Sequence, residues 1–340
     1  MDTLLADAFG KFLAGHCTPA VVREVERTQQ ATDLWAQIEA SGYLDLLVPE
    51  SGDGAGLGLR EGFDVWLACG QHALPVPLAP TMWLRAVLAH AGIDAPPGPM
   101  AIAPQCSRAN DGAVRCQAVP FGAVADWVLV ADAQGCALWP VAPSQRSSTG
   151  VHGSLQAHLA WTAAPRHALA LPTDVAGLHV GALLTATAMA GAMQRVLELT
   201  VRYANERSQF GKSIGKFQAV QQQLSVMAEQ VFAARMAAQI GCVAEAGDEI
   251  RPDALRTAVA KARTSEAAQQ VVAIAHAVHG AIGITGEYDL QLYTRRLQEW
   301  RGDFGSQAHW HAQLGAALLA APQSATLPFL LAQLLLPTAA

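Results

Sequence analysis

Charge is what this sequence has least of. Asp, Glu, Lys and Arg make up 15% of its 340 residues, against roughly 25% in ordinary soluble domains, while the hydrophobic class reaches 51%. So few charges solvate little free surface, which points to extensive burial against other subunits. The 22 basic and 28 acidic residues give a net charge of −6 with no long basic block, which argues against a nucleic-acid partner. Cysteine is used without pattern. Cys17, Cys69, Cys106, Cys116, Cys136 and Cys242 form no C-x-x-C pair and no metal-ligand spacing, so they read as scattered reduced thiols of a cytoplasmic protein with no metal site. No secretory leader is expected, because Asp2, Asp7 and Lys11 interrupt the apolar start. Long apolar runs are missing too. The most apolar tract, Leu327 to Leu336, is about half the length a bilayer requires. Bracketed by Pro328 and Pro337, it is expected to pack on the protein or on a neighbouring subunit, not to span a membrane. No internal repeat or low-complexity segment is visible.

The sequence divides into three textures. Residues 1–95 are helical in pattern, with the amphipathic run Thr32 to Ala40 closed by Ser41-Gly42. A glycine-rich loop follows from Val48 to Gly58. It lacks the G-K-[ST] ending of a phosphate loop, and no strand clearly feeds it, so it reads as structural. Residues 96–172 begin with a linker at Pro96, Pro97 and Pro99. Short alternating runs then appear at Ala113–Val119, Trp127–Ala131, Ala137–Val141 and His167–Leu171, separated by turns such as Asn110-Asp111-Gly112 and Ala133-Gln134-Gly135. This predicts a small antiparallel, barrel-like β domain, in which His152, His158 and His167 show no metal-ligand spacing. Residues 173–340 return to long alanine-rich helices at Leu183–Asn205, Gln218–Ala246, Pro252–His279 and Leu290–Trp300, whose small side chains suit a close-packed bundle. The fold class expected is therefore mainly α with a small β domain.

One stretch organises the rest. Arg207 to Gln222 reads RSQFGKSIGKFQAVQQ, and Gly211 and Gly215 place a turn between two helices. Arg207, Phe210, Lys212, Lys216 and Gln218 stand around that turn. A planar cation, an aromatic face, two ammonium groups and an amide suit a phosphate-bearing aromatic ligand. On residue types alone the plainer reading is a solvated basic helix corner with Phe210 tucked into a core. The string itself, R-x-x-F-G-x-x-I-x-x-F-Q-x-V-Q, resembles the signature of the acyl-CoA dehydrogenases. The glycine loop from Val48 resembles that family's V-P-E-x-x-G-G-x-G-L, and His279 to Tyr288, HGAIGITGEY, resembles its G-x-x-G-x-x-x-E-Y segment. The resemblance covers nearly the whole chain. It implies an N-terminal helical domain, a middle β-barrel and a C-terminal four-helix bundle. It also implies FAD, contacted by Arg207, Phe210, Gln218 and Gly280, the first three reaching the flavin nucleotide of a neighbouring subunit.

The same resemblance shows what is missing. The family's reaction removes an α-proton from an acyl-CoA thioester while a β-hydride passes to the flavin, so a carboxylate must stand beside the α-carbon. In many members that base is the Glu of Y-E-G-T. Here Asp303-Phe304-Gly305-Ser306 falls on those positions, and Phe304 cannot accept a proton. Asp303 is one residue away and would point aside in a regular helix or strand. Other members carry the base on the helix before the R-x-x-F-G motif, and that position is Gly181. The next, where relatives can hold an Arg for acyl-CoA, is Ala182. The T-E-P-x-x-G-S-D loop and W-I-T strand that grip the flavin ring are replaced by Ala101–Cys106 and Arg115–Ala118. Ala277 stands where relatives usually place a Gln.

Groups serving a chain's own flavin ring and substrate are thus lost, while groups reaching a neighbour's FAD remain. This resembles the short subunits of heterotetrameric α2β2 acyl-CoA dehydrogenases of bacterial steroid side-chain breakdown. It implies a homologous partner that supplies base, ring pocket and acyl-CoA site, with electron-transfer flavoprotein as acceptor. Two other readings stay open: a self-sufficient enzyme with Asp303, Glu287 or Glu299 as an unusual base, or a binding or scaffold protein that kept the fold for its interfaces.

Overall fold

The computed structural model describes residues 3–133, 135–172, 175, 177–321 and 325–334. Five helices open the chain: α1 (Thr3–His16), α2 (Pro19–Thr28), α3 (Thr32–Ala40), α4 (Leu59–Gln71) and α5 (Leu78–His90). Helix α3 matches the sequence expectation and stops where Gly42 takes φ +78°, a left-handed conformation that glycine adopts without steric cost. Between α3 and α4 the glycine loop spends its amides on itself. Gly54 donates to Pro49 O, Ala55 to Asp45 O, Gly56 to Val48 O and Leu57 to Leu46 O, and Gly58 donates to the Glu61 carboxylate. Those amides are committed, so the loop cannot cradle a phosphate through them.

Eight strands follow: β1 (Met100–Ile102), β2 (Cys106–Arg108), β3 (Val114–Val119), β4 (Trp127–Asp132), β5 (Gly135–Pro140), β6 (Gln145–Ser148), β7 (Ala157–Trp161) and β8 (Leu169–Leu171). They form two four-stranded sheets, ordered β1-β4-β5-β8 and β2-β3-β7-β6. The inner faces meet in a core of their own, where Val128, Val130 and Trp139 of one sheet pack with Val114, Leu159 and Trp161 of the other. The antiparallel expectation needs one correction, because β1 pairs with β4 in parallel. Strands β1, β2, β6 and β7 were not legible. Three residues is too short for alternation to declare itself, and β6 is polar and exposed throughout. The turn at Asn110-Asp111-Gly112 is present, with Gly112 N–H donating to Ala109 O. The expected turn at Ala133-Gln134-Gly135 includes Gln134, which lies outside the described residues.

The remainder is helical: α6 (Gly177–Glu206), the short hairpin β9 (Ser208–Gln209) and β10 (Lys212–Ser213), α7 (Gln218–Gly241), a second hairpin β11 (Ala244–Glu245) and β12 (Asp248–Pro252), α8 (Ala254–His279), α9 (Leu290–Trp300), α10 (Gln307–Ala320) and α11 (Thr326–Leu334). The expected helix to Ala246 instead stops at Gly241, and the β11–β12 hairpin docks on α5, where Trp83 Nε1–H donates to Ile250 O at 2.8 Å. Helices α6, α7 and α8 pack side by side, with α10 against α8. Where α4 meets α6 the backbones touch. A Cβ on Gly70 would lie 1.9 Å from Ala188 O, and one on Gly191 would lie 1.9 Å from Leu67 O. Two reciprocal glycines thus bring the N-terminal helices onto the bundle, and one continuous core runs through both.

By length and composition, α6 and the run Ala254–Ile284 could cross a bilayer. Yet 72% of the apolar stretch of α6 is buried inside the protein, and α6 and α8 pack against each other, so these are core helices of the bundle. The apolar tail begins as α11, whose Phe329 is buried while Leu327 and Leu331 are exposed. Residues 335–336, the rest of that tract, lie outside the described residues.

Candidate functional site

Two regions correspond to the two halves of the expected site. The first is the corner at the end of α6. Hairpin β9–β10 pairs Gln209 with Lys212, leaving Phe210-Gly211 as a two-residue loop with φ +52° and +79°. Positive φ at both central residues is a type I′ turn, for which phenylalanine is a costly first residue, by roughly 1–2 kcal/mol. What the turn achieves is presentation: Phe210 is 91% exposed, so it is not a core residue. Its ring meets Phe217 edge-on at 6.3 Å, and Lys212 Nζ sits 4.3 Å above the Phe217 ring. Arg207 closes α6, its N–H donating to Tyr203 O, and is exposed. Gln218 is the first residue of α7 and is also exposed, at a helix end where free amides favour anions.

Gly280 joins this corner from α8. It takes φ +63° at the end of that helix, and the adjacent His279 stacks on Tyr203 with ring centroids 4.5 Å apart. Burial holds His279 below its ordinary pKa, as does the nearby His276, against the raising effect of the bond to Ala275 O. Tyr203 lies one turn before Arg207, so Arg207, Phe210, Gln218 and Gly280 stand at one end of the bundle. A forked cation, an open aromatic face and helix-end amides match the chemistry of a dinucleotide's phosphates and adenine. All four are exposed and face outward. Further along α7, Phe232 and Met236, one turn apart, are exposed at 60% and 57%, an apolar face of the kind that meets another subunit.

The second region lies between α4, α6, the β domain and the loop after α9. An apolar cavity of about 60 Å³ opens there, walled by Trp66, Leu74, Ile102, Phe121, Leu184 and Trp300 and closed by Gly181, Asp303 and Phe304. Phe304 and Gly181, the two positions at which the family resemblance would place a base, touch. A Cβ on Gly181 would lie 2.2 Å from two carbons of the Phe304 ring. Phe304 is buried with φ +52°, and its carbonyl accepts a hydrogen bond from Trp310 Nε1 at 3.1 Å. The ring therefore occupies the space that a side chain at position 181 would need.

Asp303 also lines this cavity, contrary to the expectation that it points aside. That expectation assumed regular backbone, whereas residues 301–305 are a turn and Phe304 is left-handed. Asp303 Oδ1 accepts from Gln156 Nε2 at 2.8 Å, and the buried Oδ2 has no hydrogen-bond partner among the described residues. Burial, reinforced by Glu299, pushes its carboxyl up to about 7, against the lowering pull of Lys261 and Gln156. Glu299 is raised by burial as well, and accepts from the Ser154 hydroxyl. Glu287 is exposed on the loop before α9 and lines neither wall.

Lys261 of α8 carried no sequence signal: it reads as one of several charges on an alanine-rich helix, with Arg256, Arg263 and Glu266. It is fully buried, and its ammonium donates to Trp300 O at 2.9 Å, Ser265 Oγ at 3.1 Å, Arg301 O at 3.2 Å and Gly305 O at 3.3 Å. It thus caps the C-terminus of α9 and pins both ends of the turn carrying Asp303 and Phe304. Burial lowers its pKa to about 8. Among the described residues no cluster of His, Cys, Asp or Glu could hold a metal ion.

Comparison with known proteins places the chain. Residues 172–307 match the family described as acyl-CoA dehydrogenase, C-terminal domain. The acyl-CoA dehydrogenase IpdE2 of Mycolicibacterium smegmatis is 30% identical over 297 residues, spanning 86% of this chain and 91% of that protein. The fold is that of the ChsE4–ChsE5 complex from Mycobacterium tuberculosis, with a TM-score of 0.80, 23% identity, and coverage of 95% and 99% of the two chains. A variant of the Tcur3481–Tcur3483 steroid acyl-CoA dehydrogenase aligns with a TM-score of 0.79 at 25% identity, over 93% of this chain and 97% of that one. The chain belongs to the acyl-CoA dehydrogenase family, a family of FAD-dependent flavoproteins.

Proposed function

We propose that this chain is the non-catalytic subunit of a heteromeric, FAD-dependent acyl-CoA dehydrogenase acting on an acyl-CoA thioester, with a steroid side-chain CoA as the substrate class. The observation that carries the reading is the contact of Phe304 with Gly181: one position holds a phenyl ring that cannot accept a proton, and that ring leaves no room for a side chain at the other. The ring pocket in this chain does not fit a flavin of its own. The corner of Arg207, Phe210, Gln218 and Gly280 does fit the phosphate and adenosine end of an FAD carried by a homologous partner. FAD supplies the hydride acceptor there; this chain's part is to pair Arg207 with phosphate and cover the nucleotide with Phe210. The partner supplies base, ring pocket and acyl-CoA site in an α2β2 assembly, and electron-transfer flavoprotein takes the electrons. We take residues 1–95, 96–172 and 173–340 as the domains, and the cytoplasm as the compartment, in keeping with cysteines that are present as thiols and form no disulfide.

The test removes the partner's carboxylate base and follows anaerobic bleaching of the flavin by acyl-CoA. Complete loss of bleaching with Phe304 intact supports the reading. Residual bleaching that disappears in Asp303→Asn supports a second one, in which this chain catalyses with Asp303. That alternative is favoured by one observation, the unpartnered Oδ2 of Asp303 at the cavity wall.

A further inference from the structure

Cys106 and Cys116 face each other across β2 and β3. The register pairs Cys106 with Cys116, Ser107 with Arg115 and Arg108 with Val114. Ala109 N–H donates to Ala113 O, so hydrogen-bonded pairs fall at 109/113 and, by alternation, at 107/115. That makes Cys106/Cys116 a non-hydrogen-bonded pair, with Cα atoms about 4.5 Å apart and side chains at their closest. This separation lies at the near edge of the roughly 4.4–6.8 Å range that disulfides span. The two Sγ atoms are 2.6 Å apart, far inside the contact distance of two thiols that merely pack.

The two cysteines are unequal. β2 is the edge strand of its sheet and Cys106 is half-buried, whereas Cys116 lies on the second strand, 1% exposed, against the β-domain core. The hydrogen bond shared with Cys116, in which either sulfur can donate, holds the Cys106 thiol below its ordinary pKa together with the backbone of Ala131 and the Arg108 guanidinium, against the raising effects of burial and Asp132. The same bond and burial push Cys116 up. Arg108 itself is fixed by Asp132 at 2.7 Å and lies over the Trp139 ring. One sulfur is thus accessible and activated, and the other waits behind it.

We propose that Cys106 and Cys116 form a reversible dithiol–disulfide site whose oxidant is a small-molecule disulfide. The Cys106 thiolate attacks one sulfur of the oxidant; its S–S bond breaks, and the first half leaves as a thiolate that takes a proton from water. Cys116, giving its proton to solvent, attacks the Cys106 sulfur of the mixed disulfide and expels the second half, which is protonated in turn. Two protein thiols are oxidised to one disulfide and one small disulfide is reduced to two thiols. The product staples the edge strand β2 to β3.

The test treats the reduced full-length chain, in the assembly in which it purifies, with bis(2-hydroxyethyl) disulfide. Acid quenching, denaturation and N-ethylmaleimide labelling follow, read by intact mass and peptide mapping. Two of the six cysteines should become resistant to labelling, with no hydroxyethyl group retained, a link mapped between Cys106 and Cys116, and full labelling restored by dithiothreitol. Cys116→Ser should instead trap one hydroxyethyl adduct on Cys106, and Cys106→Ser should leave position 116 unmodified; a cooperative melt confirms that each is folded. All six cysteines still labelled, a stable adduct on Cys106 in the natural sequence, or a link to a different cysteine would overturn the proposal.

Discussion

The phenyl ring of Phe304 lies where a side chain at position 181 would have to be, so Gly181 and Phe304 are one steric unit. Neither can change alone. Gly181→Ala should destabilise the protein by about 1–3 kcal/mol, the usual cost of overpacking a filled core. Phe304→Ala should cost about 3–5 kcal/mol through the cavity it leaves. Chemical denaturation of the two single variants and the double variant should show coupling, with Gly181→Ala nearly free once the ring is gone. Additive costs would mean that the two residues do not share the space.

A carboxylate placed at 304 should not create an active site. General-base catalysis contributes about 10²–10⁴-fold only where flavin and thioester are already aligned. Here the cavity holds about 60 Å³, and apart from Asp303 and Thr185 its walls are apolar. In complexes lacking the partner's base, Phe304→Glu should give no acyl-CoA-dependent bleaching and should lower stability, since an unpaired carboxylate replaces a buried ring. Bleaching that appears only with Phe304→Glu would reveal a dormant, complete site.

Much of this was legible in the sequence, and the gaps have physical reasons. Alanine-rich periodicity placed α8, α9 and the end of α6 to within two residues, because buried helices announce their apolar faces over several turns, whereas α6 begins at Gly177, ahead of the expected Leu183. The β11–β12 hairpin escaped, since Ala244–Pro252 is short, polar and stabilised from outside by Trp83. Motif spacing singled out Gly181 and Phe304 separately, yet only the folded chain shows that they touch. Lys261 was invisible for a related reason. A charge on an alanine-rich helix reads as exposed until the turn carbonyls that surround it are known.

Stability should carry the imprint of Asp303. Its carboxyl is raised to about 7 from an ordinary value of 3.8, so the folded protein binds a proton that the unfolded chain has released between those values. Stability contributed by this group is therefore complete below pH 3.8 and falls as pH rises toward 7, by at most about 1.4 kcal/mol per unit. Asp303→Asn removes that dependence, so the variant should gain on the natural protein between pH 4 and pH 7 in urea melts. A constant difference across that range would contradict the assignment. Lys261 works at the other end. Lowered to about 8 from 10.5, it costs stability that is recovered as pH rises from 8 toward 10.5.

Arg207 is the residue expected to hold nucleotide without holding the fold, because its side chain is exposed. A charge-assisted contact to phosphate contributes about 1.5–3 kcal/mol, so Arg207→Ala should weaken FAD retention by roughly 10- to 100-fold while the complex still assembles. Flavin content after extensive dialysis checks this, and an unchanged value would count against the nucleotide clamp. Phe210→Ala should behave in the same direction, with little effect on melting, because Phe210 is 91% exposed.

The most direct measurement is flavin stoichiometry, taken on the chain purified alone and together with its co-encoded partner. Absorbance of bound flavin is set against protein mass from light scattering. The chain alone should be colourless and poorly soluble, consistent with its scarcity of charge and the bare apolar face of α7. With the partner it should form a yellow α2β2 complex carrying two FAD. A well-behaved homotetramer of this chain with four bound flavins would contradict the proposal that its own ring site has been erased.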